Sequence, residues 1–200
     1  MNKKSITTSC GKFIDIYDNV FTFTQQEFFE QFFKTSSYKY LCTISSSSTG
    51  HLPNTFLHSK YTFDDVTKLN FFNVKNIDEI LNNYGELKFS TAWANLSLPG
   101  TYYQKHTDIG GEFGVKQITL MYYATTTWQD SYGGETFFYN DSGEKEIVVD
   151  YIPGRVVIFD SSIPHKPAFS YGHIVGRYVF VCLCYGGVSN NGVNFSNHKE

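Results

Sequence analysis

Arginine is almost missing from this chain: of 200 residues only Arg155 and Arg177 are arginines. Charge in general is thin, at 18% of residues with a formal net charge of -3 and no run of Lys or Arg. Such a chain lacks the basic footprint that a phosphate backbone demands, so no nucleic-acid partner is expected. Long apolar runs are absent too. No stretch approaches the roughly 18 uninterrupted apolar residues of a membrane-crossing helix, and no apolar segment follows the lysines of MNKKSITTSC. The expectation is a soluble, unexported protein with no membrane partner and a cytoplasmic location. Cysteine is limited to Cys10, Cys42, Cys182 and Cys184, without the C-x-x-C spacing of a zinc site, and a chain of this length needs no disulfide framework. Reduced thiols are expected.

What is abundant is aromatic and aliphatic carbon. Hydrophobic residues make up 41% and aromatics 18%, enough to fill a real core. One domain over 1–200 is expected, with 1–86 as helical support and loop and 87–187 as the core. TFTQQEFFEQFFKTS opens on a threonine cap with apolar residues at helical spacing, and VKNIDEILNNYG ends like a capped helix. Between them SSSSTGHLPNTFLHSK reads as a loop over residues 45–60, long enough to act as a lid, with His51 and His58 as solvated loop residues. From about residue 87 the character changes. LKFSTAWANLSL, VKQITLMYYAT, GGETFFYN, KEIVVDYI, GRVVIFD and IVGRYVFVCLCYGG are short aromatic and β-branched runs divided by turn residues. The fold class expected is mainly β (α+β): a double-stranded β-helix, or cupin-like jelly roll, with supporting N-terminal helices.

The chemistry starts in YYQKHTDIGG. On a strand, residues two apart point to one side, so the His106 imidazole and the Asp108 carboxylate can converge on one metal ion. A facial-triad iron site needs a second imidazole. FDSSIPHKP supplies His165, 57 residues beyond Asp108, although read alone it is an exposed turn histidine. Arg177 follows 12 residues later and shares a strand face with Val179, Val181 and Leu183. A cation on an apolar inner face costs several kcal/mol unless paired, and no nearby acid is an obvious partner, so a ligand carboxylate held by the guanidinium fork meets the need. Arg155, after a Pro-Gly turn, reads as an exposed turn residue, and His173 as a loop residue.

His106-x-Asp108, His165 and Arg177 together resemble the iron(II)- and 2-oxoglutarate-dependent dioxygenases, in their prolyl 4-hydroxylase-like branch. LMYYATTTWQDSYGGETFFY, PGRVVIFDSSIPHKP and LPGTYYQKHTD are similar to that branch's segments, and the likeness spans about residues 87 to 185. It implies that His106, Asp108 and His165 bind iron(II) as the catalytic centre and that Arg177 pairs with the C5 carboxylate of 2-oxoglutarate. It further implies Tyr123 assisting that carboxylate, Tyr103 lining the pocket, and Trp128 bordering the substrate mouth, with dioxygen as co-reactant and ascorbate as an auxiliary reductant. Where the family often places a hydroxyl residue after its arginine, this chain has Val179 and Val181. The substrate implied is an amino-acid side chain, prolyl or otherwise, in a peptide or protein, followed by a free amino acid or other small molecule. The reading from another class is a non-catalytic jelly-roll binding protein or a cupin-like metal protein. Oligomeric state is not legible.

Overall fold

The computed structural model describes residues 1–43, 54–108, 116–171, 176–186 and 193–194. In chain order the elements are β1 (Asn2–Thr7), β2 (Phe13–Asp18), α1 (Phe23–Thr35), β3 (Lys39–Thr43), β4 (Asn54–Tyr61), α2 (Phe63–Lys68) and α3 (Lys75–Asn82). There follow β5 (Leu87–Ser97), β6 (Gln117–Tyr123), β7 (Thr136–Tyr139), β8 (Lys145–Val149), β9 (Val156–Asp160), β10 (His165–Pro167), β11 (Arg177–Gly186) and β12 (Val193–Asn194). The larger sheet runs β1-β2-β9-β6-β11-β5-β4-β3, with β12 on a free edge of β5, and the smaller runs β10-β7-β8. The described pairings are antiparallel. Two sheets closing on each other in this way form the jelly roll expected from the sequence.

Period-two alternation gives the larger sheet two different faces. On one, Phe180, Cys182, Leu120, Tyr122, Ala92 and Ala94 are buried against the helical layer, where Phe21, Phe29, Phe33, Phe71 and Ile77 meet them. Aromatic edges carry much of this packing: Phe29, Phe21 and Phe71 surround the Tyr122 ring at centroid distances of 5.8, 4.9 and 5.5 Å. Helix α1 is placed by its cap, because Thr22 accepts from the Gln25 N–H while the Gln25 side chain takes the Thr22 N–H. On the other face, Val179 and Val181 of β11 stand level with Tyr123 and Met121 of β6 and with Asn95 and Trp93 of β5. That face meets Phe138 and Val149 of the smaller sheet. The space between the sheets near β11 and β5 is where the functional side chains gather.

The first 86 residues do more than support the sheet with helices. They supply β1 and β2 at one end of the larger sheet and β4 and β3 at the other. FIDIYD alternates well enough to be a strand, and its Ile14 and Ile16 enter the inter-sheet core, while NKKSIT is the charged edge strand beside it. Residues 54–60, read from the sequence as part of a loop, belong to strand β4, because five consecutive residues of β5 pair with Leu57 through Tyr61. The rest of the expected lid, with His51, lies outside the described residues. No described helix is long and apolar enough to cross a membrane.

Candidate metal and cosubstrate site

His106 and His165, far apart in sequence, meet in an isolated antiparallel bridge. His106 N–H donates to the His165 carbonyl at 3.0 Å, and His165 N–H returns the bond at 2.8 Å. Each imidazole then folds back on its own backbone. His106 Nδ1 lies 2.9 Å from the Gln104 carbonyl and His165 Nδ1 lies 3.0 Å from the Ile163 carbonyl. A carbonyl only accepts, so both Nδ1 atoms carry the proton and both Nε2 lone pairs are free. His106 Nε2 is 3.7 Å from Asp108 Oδ1 and His165 Nε2 is 3.4 Å from Asp108 Oδ2. One donor atom from each residue falls within 4.8 Å of the others. Two neutral nitrogens and one carboxylate oxygen at this spacing fit a divalent first-row metal, iron(II) included. Burial lowers the His165 pKa, against the pull of the Asp108 charge, which keeps the ring in the ligating form.

Asp108 is held from two sides. Its N–H donates to the Ser161 carbonyl at 3.0 Å, and Thr119 Oγ1 donates to Oδ2 at 3.0 Å. Thr119 and Ser161 hydroxyls, both fully buried, lie 2.9 Å apart, so the carboxylate is braced by a hydroxyl pair rooted in β6 and at the end of β9. His165 is buried and the His106 side chain is 43% exposed, which leaves the His106 side as the open edge of the group.

Arg177 is 3% exposed, and no carboxylate of the described residues pairs with it. Its Nε donates to the Gly134 carbonyl at 2.8 Å, and its guanidinium carbon lies 5.0 Å from the Tyr151 ring and 5.7 Å from the Tyr123 ring. The two terminal nitrogens thus form the edge left for a carboxylate. Gly134, at φ +80°, makes this approach possible: a Cβ there would stand 3.0 Å from Arg177 Cδ and Nε and from Trp128. Tyr151, which the sequence did not single out, is fixed at its hydroxyl, which donates to the Tyr178 carbonyl and accepts from the Thr125 N–H. Burial pushes its phenol up to about 12, so it stays neutral beside the cation.

A cavity of about 370 Å³ connects these groups, and His106, Asp108, His165 and Arg177 all line it. Tyr103 lines it too, with its hydroxyl 2.6 Å from Ser97 Oγ. Tyr123 is not among the lining residues; its hydroxyl, 2.7 Å from Thr136 Oγ1, reaches the cavity through that threonine. Trp128 likewise sits in the wall, donating to the Gly133 carbonyl and packed 4.8 Å from Tyr151, away from the lining expected of a mouth residue. Arg155 is no exposed turn residue: its guanidinium pairs with Asp18 at 2.8 and 2.9 Å, tying the β9 turn to β2. His58, read as a solvated loop residue, lies on β4 and lines the cavity. His173 lies outside the described residues.

Residues 92–181 match the family model of the 2OG-Fe(II) oxygenase superfamily. No curated protein sequence matches the chain. Among solved structures it is similar to a prolyl hydroxylase from Trichoplax adhaerens in complex with a hypoxia inducible factor oxygen degradation domain peptide fragment. The TM-score there is 0.64, with 16% identity over 86% of this chain and 82% of the other. It is also similar to an oxidoreductase of the 2OG-Fe(II) oxygenase family from Burkholderia pseudomallei, with a TM-score of 0.65 and 11% identity over 90% and 87% of the two chains. A third similar fold is the non-heme alpha ketoglutarate dependent carbocyclase SnoK from nogalamycin biosynthesis, with a TM-score of 0.61 and 10% identity over 86% and 79%. The matched span contains every one of the converging donors together with Arg177, so the likeness to the 2OG-Fe(II) oxygenase superfamily model takes in the site itself, and the similar structures share its fold.

Proposed function

We propose that this protein is a 2-oxoglutarate-dependent dioxygenase that hydroxylates a C–H bond of an amino-acid side chain, prolyl or otherwise, in a peptide or protein. One oxygen atom of dioxygen enters the substrate and the other enters succinate, while carbon dioxide leaves 2-oxoglutarate; ascorbate serves as auxiliary reductant. The observation that carries the reading is the convergence on one cavity of His106, Asp108 and His165 with Arg177, which no carboxylate of the described residues pairs with. His106 Nε2, His165 Nε2 and an Asp108 oxygen would hold the iron, and the Arg177 fork would take the far carboxylate of 2-oxoglutarate. Iron(II), when bound, supplies the redox chemistry that joins dioxygen to the decarboxylation.

The chain's own residues do the rest. Backbone-anchored Nδ1–H groups keep both imidazoles in the ligating tautomer. Thr119 fixes the Asp108 carboxylate. Val179, Val181 and Met121 wall the space between iron ligands and arginine with carbon, which keeps water from the cosubstrate's middle. With no hydroxyl on those valines, Thr136, hydrogen-bonded to Tyr123, would offer one on the lining. The peptide-bound prolyl hydroxylase among the similar folds supports a peptide substrate. The test is succinate release from 2-oxoglutarate under ferrous, aerobic conditions with ascorbate, together with a mass gain of about 16 Da, one oxygen atom, in candidate peptides. A gain only in free amino acids would replace the peptide reading by the small-molecule one. No succinate with any substrate would leave a binding protein.

A further inference from the structure

The cavity does not end at the cosubstrate arginine. Across the larger sheet its floor continues from Val179 and Val181 on β11, through Asn95 and Trp93 on β5, to His58 and Lys60 on β4. Phe56, also on β4, stacks on Tyr103 at 5.0 Å and extends the same wall. This side lobe is aromatic and amide-lined, with one ammonium, and no described carboxylate pairs with Lys60.

Charge accounting says what such a lobe lacks. A dication, Asp108 and Arg177 together offset the two negative charges of 2-oxoglutarate, so the loaded centre is close to neutral. Lys60, exposed at the rim of the cavity, is then the one charge of this lobe that no described carboxylate pairs with. His58 beside it adds none, since burial lowers its pKa more than Asn95 raises it, and the Lys60 charge opposes its protonation further. The other lobe residues, Trp93, Asn95, Thr91 and Phe56, are uncharged. An occupant that is apolar along its length and anionic at one end is complementary to this wall.

We propose that the β4 end of the cavity is the substrate lobe and that Lys60 reads a carboxylate of the substrate. The inference rests on the dioxygenase reading above and adds a chemical class to it: the hydroxylated residue carries, or directly adjoins, a carboxylate. That group is either the α-carboxylate of a free amino acid or chain end, or the side chain of an Asp or Glu flanking the target in a peptide.

The test is a matched panel offered to the iron-loaded enzyme: free amino acids, their N-acetyl forms with free carboxylate, the corresponding amides, and prolyl peptides with Glu or Gln beside the proline. Substrate-stimulated succinate release and mass gain are the readouts. Carboxylate members should be turned over in preference to their amide or Gln partners, and the free-acid and Glu arms separate the two sources. Lys60→Met should raise KM for carboxylate members about two- to fivefold, the scale of a solvent-exposed ion pair, while KM for the amides stays put. Lys60→Glu should raise it further, and Lys60→Arg should restore it. Equal turnover of acids and amides, or a Lys60→Met effect common to both, overturns the assignment while the dioxygenase stands. A protein that binds neither Mn(II) nor 2-oxoglutarate overturns the reading beneath it.

Discussion

His106 and His165 are locked to each other by two main-chain hydrogen bonds, with ring centroids 4.6 Å apart. The bridge joins backbone to backbone, so the two imidazoles are brought together by folding and do not wait for a metal. Nδ1 on each ring is bonded to a carbonyl two residues away, which sets ring orientation as well as tautomer. A site of this kind is preorganised.

Removal of a donor should therefore abolish metal binding without unfolding the chain. For Asp108→Ala we expect Mn(II) affinity to fall beyond the roughly 100-fold that loss of an outer partner costs, succinate release to vanish, and the circular dichroism spectrum to remain. A mutant that still binds Mn(II) with near-native affinity would remove Asp108 from the ligand set.

Thr119 acts on the metal through Asp108. Thr119→Val keeps the shape and deletes the hydroxyl that donates to Oδ2. Mn(II) affinity should drop about tenfold, with KM for 2-oxoglutarate unchanged. Thr119→Ser, which restores a hydroxyl, should recover most of the loss. Titration of Mn(II) by electron paramagnetic resonance measures it apart from turnover.

Much of this was legible in the chain, and the reason is local chemistry. H-x-D, a histidine after a strand-like run and an arginine on an apolar face are residue types whose costs or pairing demands are visible without coordinates. The strands from β5 onward, β10 and β12 apart, announced themselves by aromatic and β-branched runs between turn residues. What stayed hidden was set by long-range pairing. β4 is a strand because β5 offers it an edge, and nothing within a Ser-rich stretch that runs into NTFLHSK declares that. Tyr151 and Gly134 matter through where Arg177 falls relative to them, and Arg155 through Asp18, 137 positions away in sequence. Tyr123 and Trp128 were placed by resemblance at the cavity; packing puts one behind Thr136 and the other in the wall.

Arg177→Ala should weaken 2-oxoglutarate binding to Mn(II)-loaded protein far more than it weakens Mn(II) binding. Gly134→Ala is the sharper version. Its Cβ would press on Arg177 and Trp128 at 3.0 Å, and the +80° backbone disfavours any side chain by about 1–2 kcal/mol. We expect lower thermal stability and a loss of 2-oxoglutarate affinity with Mn(II) affinity intact, read by calorimetry. Unaltered cosubstrate affinity in Gly134→Ala would mean that the Nε contact does not orient the fork.

Acid should destabilise the metal-free protein earlier than its carboxylates alone would. His58 and His165 both sit below the ordinary histidine value of 6.5, in each case chiefly through burial. In the unfolded chain they take up protons as pH falls through about 6.5, whereas in the fold they stay neutral until lower pH. The unfolded state thus binds more protons in that window, and stability declines as pH drops through it, with no penalty above. Melting temperature of chelator-treated protein should be flat from about pH 8 to pH 7 and fall towards pH 5. His58→Asn cannot titrate, so its slope below pH 6.5 should be shallower than that of the parent. Parallel slopes would show that His58 takes up as many protons in the fold as in the unfolded chain, and that burial does not hold it neutral.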